Sequence, residues 1–180
     1  NYAVNNDFAW YTDGTLPFDW VGTNAVNNSG MLNITEGSAS KYFNPVSGTV
    51  IANAEFNLTE GQSISFAMKS GEKTIVNFTS DENNFFANGV KVYDNYLHNF
   101  WYRIRLEAKT LENKAVIWVN GRQAAEVDLA EKTTSIDNIC LSNTSASAVN
   151  FDNVSVFEKI YHEDYVPEPV KPAGEEKYTV

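Results

Sequence analysis

The feature that most constrains this chain is a series of short segments in which apolar and polar residues alternate, separated by glycine, asparagine, aspartate and serine. Alternation with a period of two residues is typical of β-strands that bury one face. No segment shows a convincing amphipathic helix, whose period is about 3.6 residues. The sequence therefore predicts an all-β chain with no substantial helix, folded as an antiparallel β-sandwich or as a barrel.

An Asn-Gly pair gives the clearest local signal for two of these strands. Asn120 and Gly121 follow an apolar run and precede an alternating one. Both residue types tolerate positive φ, which a type I′ turn requires at its two central positions. Two strands are therefore expected to form a hairpin here. The full set of predicted strands is 31–35, 42–43, 49–58, 64–68, 74–79, 90–93, 101–109, 115–119, 123–129, 136–142 and 148–157.

The composition changes after residue 157. Pro167, Pro169 and Pro172, three of the five prolines, lie there among several glutamates. Pro-rich acidic sequence favours an extended spacer. We predict a β-sandwich module over residues 1–160 and a Pro/Glu-rich linker over residues 161–180, leading to a covalently linked following module. Because the chain also begins without methionine, we expect it to be a processed piece of a longer protein.

The charge balance argues against two classes of partner. The chain has 23 acidic and 13 basic residues and a formal net charge of −10. A strongly acidic chain repels the phosphate backbone of nucleic acids and the anionic surface of membranes. No apolar run approaches the roughly 18 residues that a spanning helix needs. We therefore expect no nucleic acid and no membrane as partner, and a monomer.

Two neighbouring strands, 101–109 and 115–119, carry an unusual set of side chains opposite the predicted core. These are Trp101, Arg103, Arg105 and Trp118. Plain solvation does not account for two indole rings and two guanidinium groups on one sheet face. Aromatic rings stack on the apolar faces of sugars, and arginine binds hydroxyls or carboxylates. We predict an extended glycan on this face, with the arginines favouring an acidic or substituted plant polysaccharide. Packing against another element is the alternative.

Two further aromatic groups are candidate sugar platforms. Trp10, Tyr11 and Trp20 belong to an aromatic-rich N-terminal stretch broken by glycines, and Tyr93 and Tyr96 flank an Asp-Asn pair. Loop aromatics at the edge of a sandwich can offer ring faces to a ligand. The alternative for Trp10 and Trp20 is that their rings close the ends of the sandwich.

The residue patterns that catalysis requires are missing from the sequence. It contains no plausible Ser-His-Asp arrangement, no zinc-ligand spacing and no glycine-rich phosphate loop. Cys140 is interpreted as a small apolar strand residue, His98 as a loop residue and His162 as a solvated one. We expect a chain that is not itself an enzyme and requires no cofactor.

Structural calcium remains open at this point. Asp7, Asp13, Asp152 and Asn153 carry the oxygen ligands that calcium prefers, near the two ends of the predicted module. Capping of turns by the same side chains is the alternative.

Five segments together resemble the concanavalin A-like jelly-roll superfamily, over roughly residues 8–157. They are 14–20, 40–48, 101–104, 118–121 and 151–156. They look closest to the laminin-G-like and carbohydrate-associated modules of bacterial polysaccharide-degrading enzymes. The resemblance implies an antiparallel β-sandwich of jelly-roll type with two packed sheets. It also implies a secreted, extracellular or cell-surface, multimodular bacterial protein.

The same superfamily contains glucanases and alginate-type lyases, whose motifs are a further test. The acidic strand motif of the glucanases is absent. The lyase motif Arg-x-Glu-x-Arg is matched only loosely at residues 103–107, and the Gln-x-His and Tyr-x-Lys strands are missing. The leading hypothesis is a non-catalytic carbohydrate-binding module that targets its parent enzyme, a glycoside hydrolase or polysaccharide lyase, to a plant or cell-wall polysaccharide. A structural or adhesive sandwich without a glycan and a lyase or hydrolase of this fold are the alternatives.

Overall fold

Thirteen strands make up the fold in a computed structural model that describes residues 1–160. They are β1 (Tyr2–Asn6), β2 (Trp20–Asn28), β3 (Met31–Ser47), β4 (Thr49–Asn57), β5 (Ile64–Ser70), β6 (Lys73–Ser80), β7 (Phe85–Ala87), β8 (Val90–Tyr93), β9 (Trp101–Lys109), β10 (Lys114–Val119), β11 (Arg122–Asp128), β12 (Ser135–Asn143) and β13 (Val149–Glu158). All pairings between them are antiparallel, which confirms the predicted all-β sandwich. The predicted linker, 161–180, and His162 lie outside the described residues.

The strands form one hydrogen-bonded path that folds over on itself. Its order is β11-β10-β9-β4-β13-β3-β12-β5-β6-β7-β8, with β1 beside β13 and β2 beside β3. The two ends of the path approach each other. The side-chain amide of Asn88 donates to the carbonyl of Asp128 at 2.8 Å, and the Ala130 N–H donates to the carbonyl of Ile75 at 2.9 Å. The result is a sandwich that is nearly closed into a barrel.

The core lies between two layers, and β4 shows why the sequence forms them. Val50, Ala52, Ala54 and Phe56 are fully buried at alternate positions, while the residues between them include polar ones that face outward. The ring of Phe56 lies 5.7 Å from that of Phe85 on β7, in the opposite layer. Burial of such a side chain contributes roughly 1.5–3 kcal/mol.

The strand β3 joins the two layers, and the sequence pattern does not reveal its continuity. The predicted strands 31–35 and 42–43 are parts of this one 17-residue strand. It bends at Glu36, where φ is 43°, opposite a shift in register between Thr23 and Ala25 of β2. A β-bulge of this kind interrupts the alternation without ending the strand.

Two glycines allow β2 and β3 to lie close together at this bend. A Cβ atom added to Gly22 would overlap the carbonyl oxygen of Ser38, and one added to Gly37 would overlap the carbonyl oxygen of Thr23. Only glycine permits such backbone approach.

The described part of the chain contains no helix with the length and apolar character that crossing a bilayer requires.

Candidate functional site

The solvent side of one layer, formed by β11, β10, β9, β4, β13 and β1, carries the candidate site; we call it the outer face. Five of its residues lie in register on consecutive strands, and we call them the central row: Trp118, Arg105, Asn53, Ser155 and Asn5. With neighbouring strands about 4.8 Å apart, the four steps span about 19 Å. The central row therefore runs across the strands and is long enough for an extended ligand.

A second row lies beside the central one. Arg103 of β9 faces Glu55 of β4, which faces Asp152 of β13. Beyond it, Trp101 pairs with Asn57, and Asn57 pairs with Asn150. These two rows supply amides, carboxylates and guanidinium groups, so the outer face is rich in hydrogen-bonding groups.

A depression of about 360 Å³ lies at the β10 end of the central row. The ring of Trp118 is half-buried in it, and the guanidinium carbon of Arg105 lies 5.9 Å from the ring centroid, within the range of a cation–π contact. Its lining residues are Asn53, Arg103, Arg105, Glu107, Trp118, Gly121 and Lys159. We call it the Trp118 depression.

Ion pairs fix the charged side chains of this depression. Glu107 is only 3% exposed, and its carboxylate lies 3.2 Å from Arg105 Nη2 and 3.5 Å from Lys159 Nζ. Arg103 Nε lies 3.3 Å from Glu55 Oε2. The side-chain amide of Asn153 donates to the other oxygen of Glu55 at 3.0 Å. Each of these two arginines therefore has a carboxylate partner.

A second depression, of about 350 Å³, lies at the other end of the central row. It is lined by Asn5, Asn6, Asp7, Trp10, Asn153 and Ser155, and the indole of Trp10 is 92% exposed. The side-chain amide of Asn53 donates to Ser155 Oγ at 3.1 Å, so one hydrogen bond connects the linings of the two depressions. We call this one the Trp10 depression.

The structure places the four residues predicted for one sheet face on the outer face. Trp118, Arg105 and Arg103 line the Trp118 depression. Trp101 lies outside it, beyond the second row, and is 42% exposed. The indole N–H of Trp118 is buried and has no hydrogen-bond partner among residues 1–160. Trp118 therefore presents ring surface rather than its N–H group.

Two of the other predicted sugar platforms are wrong, because their rings are buried. Trp20 is 3% exposed and packs against Phe8, with the ring centres 5.7 Å apart. Tyr96 is 5% exposed and stacks on Phe85 at 4.4 Å. Burial, with a smaller contribution from the negative charge of Asp81, raises the pKa of Tyr96 to about 12. Both rings belong to the hydrophobic core and are not accessible to a ligand.

Tyr93 and Tyr11 are half-buried, so neither presents an open ring platform. Tyr93 stacks on Phe85 at 5.5 Å. The hydroxyl of Tyr11 donates to the side-chain oxygen of Asn6 at 3.1 Å. At the N-terminal side of the outer face, Trp10 is the most exposed ring at 92%, and Tyr2 of β1 is 59% exposed.

The four predicted calcium ligands do not come together as a set. Asp7 and Asn153 line the Trp10 depression, whereas Asp13 accepts hydrogen bonds from the Asn27 side chain and the Ser29 N–H at 3.1 and 2.9 Å. Burial raises the pKa of Asp152, and the negative charges of Glu55 and Asp7 add to the shift. Within residues 1–160, no group of three or more His, Cys, Asp or Glu side chains is arranged to hold a metal ion.

The other reactive side chains take structural positions. His98 Nε2 lies 3.0 Å from the carbonyl oxygen of Glu82, in the loop before β9. Cys140 is half-buried within β12.

The sequence of this chain matches no family model and no curated protein. Its fold is similar to several solved structures. A chain named sialidase matches with a TM-score of 0.75 and 8% identity over 87% of this chain, which spans only 18% of the sialidase chain. The carbohydrate recognition domain of Emp47p matches with a TM-score of 0.63, 9% identity and coverage of 87% of this chain and 95% of that one.

The CBM2 module of the evolved Dit protein of Lactobacillus casei BL23 phage J-1 is also similar. Its TM-score is 0.64 and its identity 10%, over 86% of this chain and 94% of that one. The chain shares its all-β jelly-roll fold with these structures, in agreement with the fold that the sequence predicts. The fold therefore occurs both in a carbohydrate recognition domain and in part of a chain named sialidase.

Proposed function

We propose that this chain is a non-catalytic carbohydrate-binding module whose glycan lies along the central row, across β10, β9, β4, β13 and β1. The observation that carries the proposal is the arrangement of a tryptophan at each end of a polar strip, Trp118 in one depression and Trp10 in the other. Between them lie Arg105, Asn53 and Ser155.

The chemistry of the strip suits a sugar polymer. Indole rings stack on the apolar faces of pyranose rings, and amide, hydroxyl and guanidinium groups bond the hydroxyls at their edges. A ligand that crosses the strands meets one such side chain about every 4.8 Å. An extended chain therefore uses the whole strip, whereas a single sugar fills one depression.

The ion pairs support a binding role rather than catalysis. General acid–base chemistry on a glycosidic bond needs carboxyl groups free to exchange protons with the ligand. Glu107 instead lies buried between Arg105 and Lys159, and Glu55 is held by Arg103 and Asn153. These carboxylates position the arginines.

In its parent protein, the module keeps a covalently linked enzyme close to its substrate. Such linkage raises the effective concentration of polymer at the catalytic module. We place this multimodular protein outside a bacterial cell or on its surface, and the glycan in plant or cell-wall material. The resemblance described for the sequence supports these assignments.

An adhesive or structural module is the second candidate, because one end of the outer face carries exposed apolar side chains. Leu97, Phe100 and Trp101 are 60%, 44% and 42% exposed and lie within five residues of one another. A neighbouring domain packed on this group would leave the two depressions without a glycan.

Affinity gel electrophoresis against pectins, xylans and β-glucans tests the proposal. We expect at least one polymer to retard the protein. Trp118→Ala and Trp10→Ala should each weaken retardation about tenfold, as loss of a stacking contact together with its buried area predicts. Phe18→Ala, which removes a ring that is 89% exposed outside both depressions, should not.

Two results would contradict the proposal. If no polymer retards the wild type, the chain does not bind these glycans. If the wild type and the three variants are retarded equally, the glycan does not bind at the outer face. New reducing ends in a polymer incubated with the isolated chain would show catalysis. Trp10→Ala keeps the test valid even if Trp118→Ala folds poorly, because the Trp10 ring makes few contacts with the core.

A further inference from the structure

Resting on the proposed function, we infer that the ligand of the outer face is an uncharged glycan and not a polyuronate. The two arginines considered by themselves favour an acidic polysaccharide. The structure instead supplies each of them with a carboxylate from the protein, so that the face offers hydroxyl-binding groups without excess positive charge.

The first step is the pairing of Arg103 and Arg105. Arg103 Nε bonds Glu55 at 3.3 Å, and Arg105 bonds Glu107 at 3.2 Å. Glu107 is two residues from Arg105 on β9, so their side chains point to the same face of the sheet. Glu55 lies directly opposite Arg103 on the neighbouring strand β4. The backbone register therefore holds both carboxylates beside their arginines, whether or not a ligand is present.

The second step is the net charge along the strip. The cations are Arg103, Arg105 and Lys159, and Lys159 also bonds Glu107. Four carboxylates accompany the strip: Glu107 and Asp7 line the two depressions, and Glu55 and Asp152 lie in the second row beside it. Three positive and four negative charges leave the strip at −1, in a chain whose formal net charge is −10. A polyuronate adds one negative charge with every sugar and is repelled.

The third step is what the paired arginines still provide. A guanidinium group carries five N–H donors, and Glu55 engages the one on Nε of Arg103. The remaining donors of a guanidinium suit hydroxyl oxygens, which carry no charge. Asn53 and Ser155 add neutral donors and acceptors at the centre of the strip. A surface that binds hydroxyls and carries no excess positive charge suits a neutral polysaccharide.

A pair of polymers with the same backbone separates charge from sugar identity. Polygalacturonate and its fully methyl-esterified form are compared in affinity electrophoresis at low ionic strength, beside neutral β-glucan, xylan and mannan. We expect polygalacturonate to be bound at least about tenfold more weakly than the best neutral polymer, which corresponds to about 1.4 kcal/mol. Any weak retention by polygalacturonate should increase as added salt screens the repulsion between its carboxylates and the acidic chain, whereas retention driven by attraction to the arginines would decrease.

The outcomes distinguish this inference from the proposed function. Polygalacturonate bound as tightly as the best neutral polymer, or more tightly, overturns the inference and leaves carbohydrate binding in place. Retention on none of the polymers overturns the proposed function and the inference with it.

A variant tests the role of the carboxylates directly. Glu55→Gln keeps the size of the side chain and releases the charge of Arg103, so affinity for polygalacturonate should rise severalfold. Glu72→Gln makes the same charge change in the exposed turn between β5 and β6, in the other layer, and controls for net charge. An equal response of the two variants contradicts the inference.

Discussion

Arg105 and Trp118 face each other across β9 and β10, and the guanidinium carbon of Arg105 lies 5.9 Å from the centre of the Trp118 ring. Glu107, two residues along β9, accepts a hydrogen bond from the same guanidinium group at 3.2 Å. The arginine is thus oriented by an aromatic ring and a buried carboxylate together. Its orientation is set before any ligand arrives, which reduces the entropy that binding costs.

Removal of the Arg105 side chain should lower both stability and glycan binding. Arg105→Ala takes one of two cationic partners from the buried Glu107, and Lys159 remains. A hydrogen bond to a charged group contributes roughly 1.5–3 kcal/mol. Because Lys159 remains, we expect the free energy of unfolding to fall by about 1–3 kcal/mol in urea denaturation. Arg105→Lys keeps the charge but not the planar group that stacks on Trp118, and should bind glycan more weakly than wild type. Wild-type behaviour of both variants would contradict the assigned role of Arg105.

Trp10 and Trp20 should differ sharply in what their loss does. Trp20→Ala removes a buried ring that packs on Phe8, and should destabilise the fold by about 3–5 kcal/mol in urea denaturation. Trp10→Ala removes an exposed ring and should change stability by less than about 0.5 kcal/mol. Trp10→Ala should still weaken glycan retention. A similar loss of stability in both variants would show that the described burial is wrong.

The sequence predicts much of the fold because its information is local. Alternation along β4 and β9 assigns inward and outward faces, and the Asn-Gly turn is found with φ of 49° at Asn120 and 82° at Gly121. Alternation fails for β2, an edge strand with four consecutive exposed residues, and for β3, whose bend divides one strand into two apparent ones. The predicted set therefore lacks β2, and it also lacks the short strands β1 and β7.

The candidate site is only partly predictable, because it depends on register between strands far apart in the chain. Parity places Arg105 and Trp118 on one face, since their strands are neighbours in sequence. Asn53 and Ser155 are 102 positions apart, and no local pattern indicates that they bond. The alternation along β4 does indicate that the side chain of Asn53 faces outward. The partner of Arg103, Glu55, is 48 positions away, so the charge of the strip emerges only from the folded register.

Gly121 should be replaceable only at the cost of backbone strain. Its φ of 82° lies in the region that side chains other than glycine disfavour, although a Cβ atom there would meet open space. Gly121→Ala should therefore lower the free energy of unfolding by about 1–2 kcal/mol in urea denaturation. The slope of this free energy against urea concentration should not change, because the surface exposed on unfolding stays the same. Gly121→Asn, a residue that tolerates this conformation, should recover most of the loss. Equal stability of wild type and Gly121→Ala would contradict the turn assignment.

Gly22 should be more sensitive than Gly121, for a different reason. An added Cβ atom at Gly22 would overlap the backbone carbonyl of Ser38, so β2 must move away from β3. Overpacking of this kind costs about 1–3 kcal/mol or more, and here it also breaks ladder hydrogen bonds. Amide hydrogen exchange of Gly22→Ala should show faster exchange along β2 while β9 and β10 remain protected. Val21→Ala, at an exposed position of the same strand, is the matched control.

Tyr96 should make the fold sensitive to high pH. Its hydroxyl donates to the carbonyl oxygen of Asp81 at 2.7 Å, and burial raises its pKa from 10.0 to about 12. Below pH 10 the folded and unfolded chains both keep this proton, so Tyr96 gives no pH dependence there. Between pH 10 and 12 the unfolded chain loses the proton and the folded chain retains it, so the contribution of Tyr96 to stability falls as pH rises.

Tyr96→Phe isolates this contribution from every other group that titrates at high pH. The variant loses the hydrogen bond to Asp81, which should cost about 1 kcal/mol at neutral pH. Because phenylalanine cannot ionise, the stability gap between wild type and variant should narrow as pH rises from 10 towards 12. Urea denaturation of both proteins across this range measures the gap directly. A gap that stays constant would mean that the Tyr96 hydroxyl ionises equally in the folded and unfolded chains, and a widening gap would reverse the assigned sign.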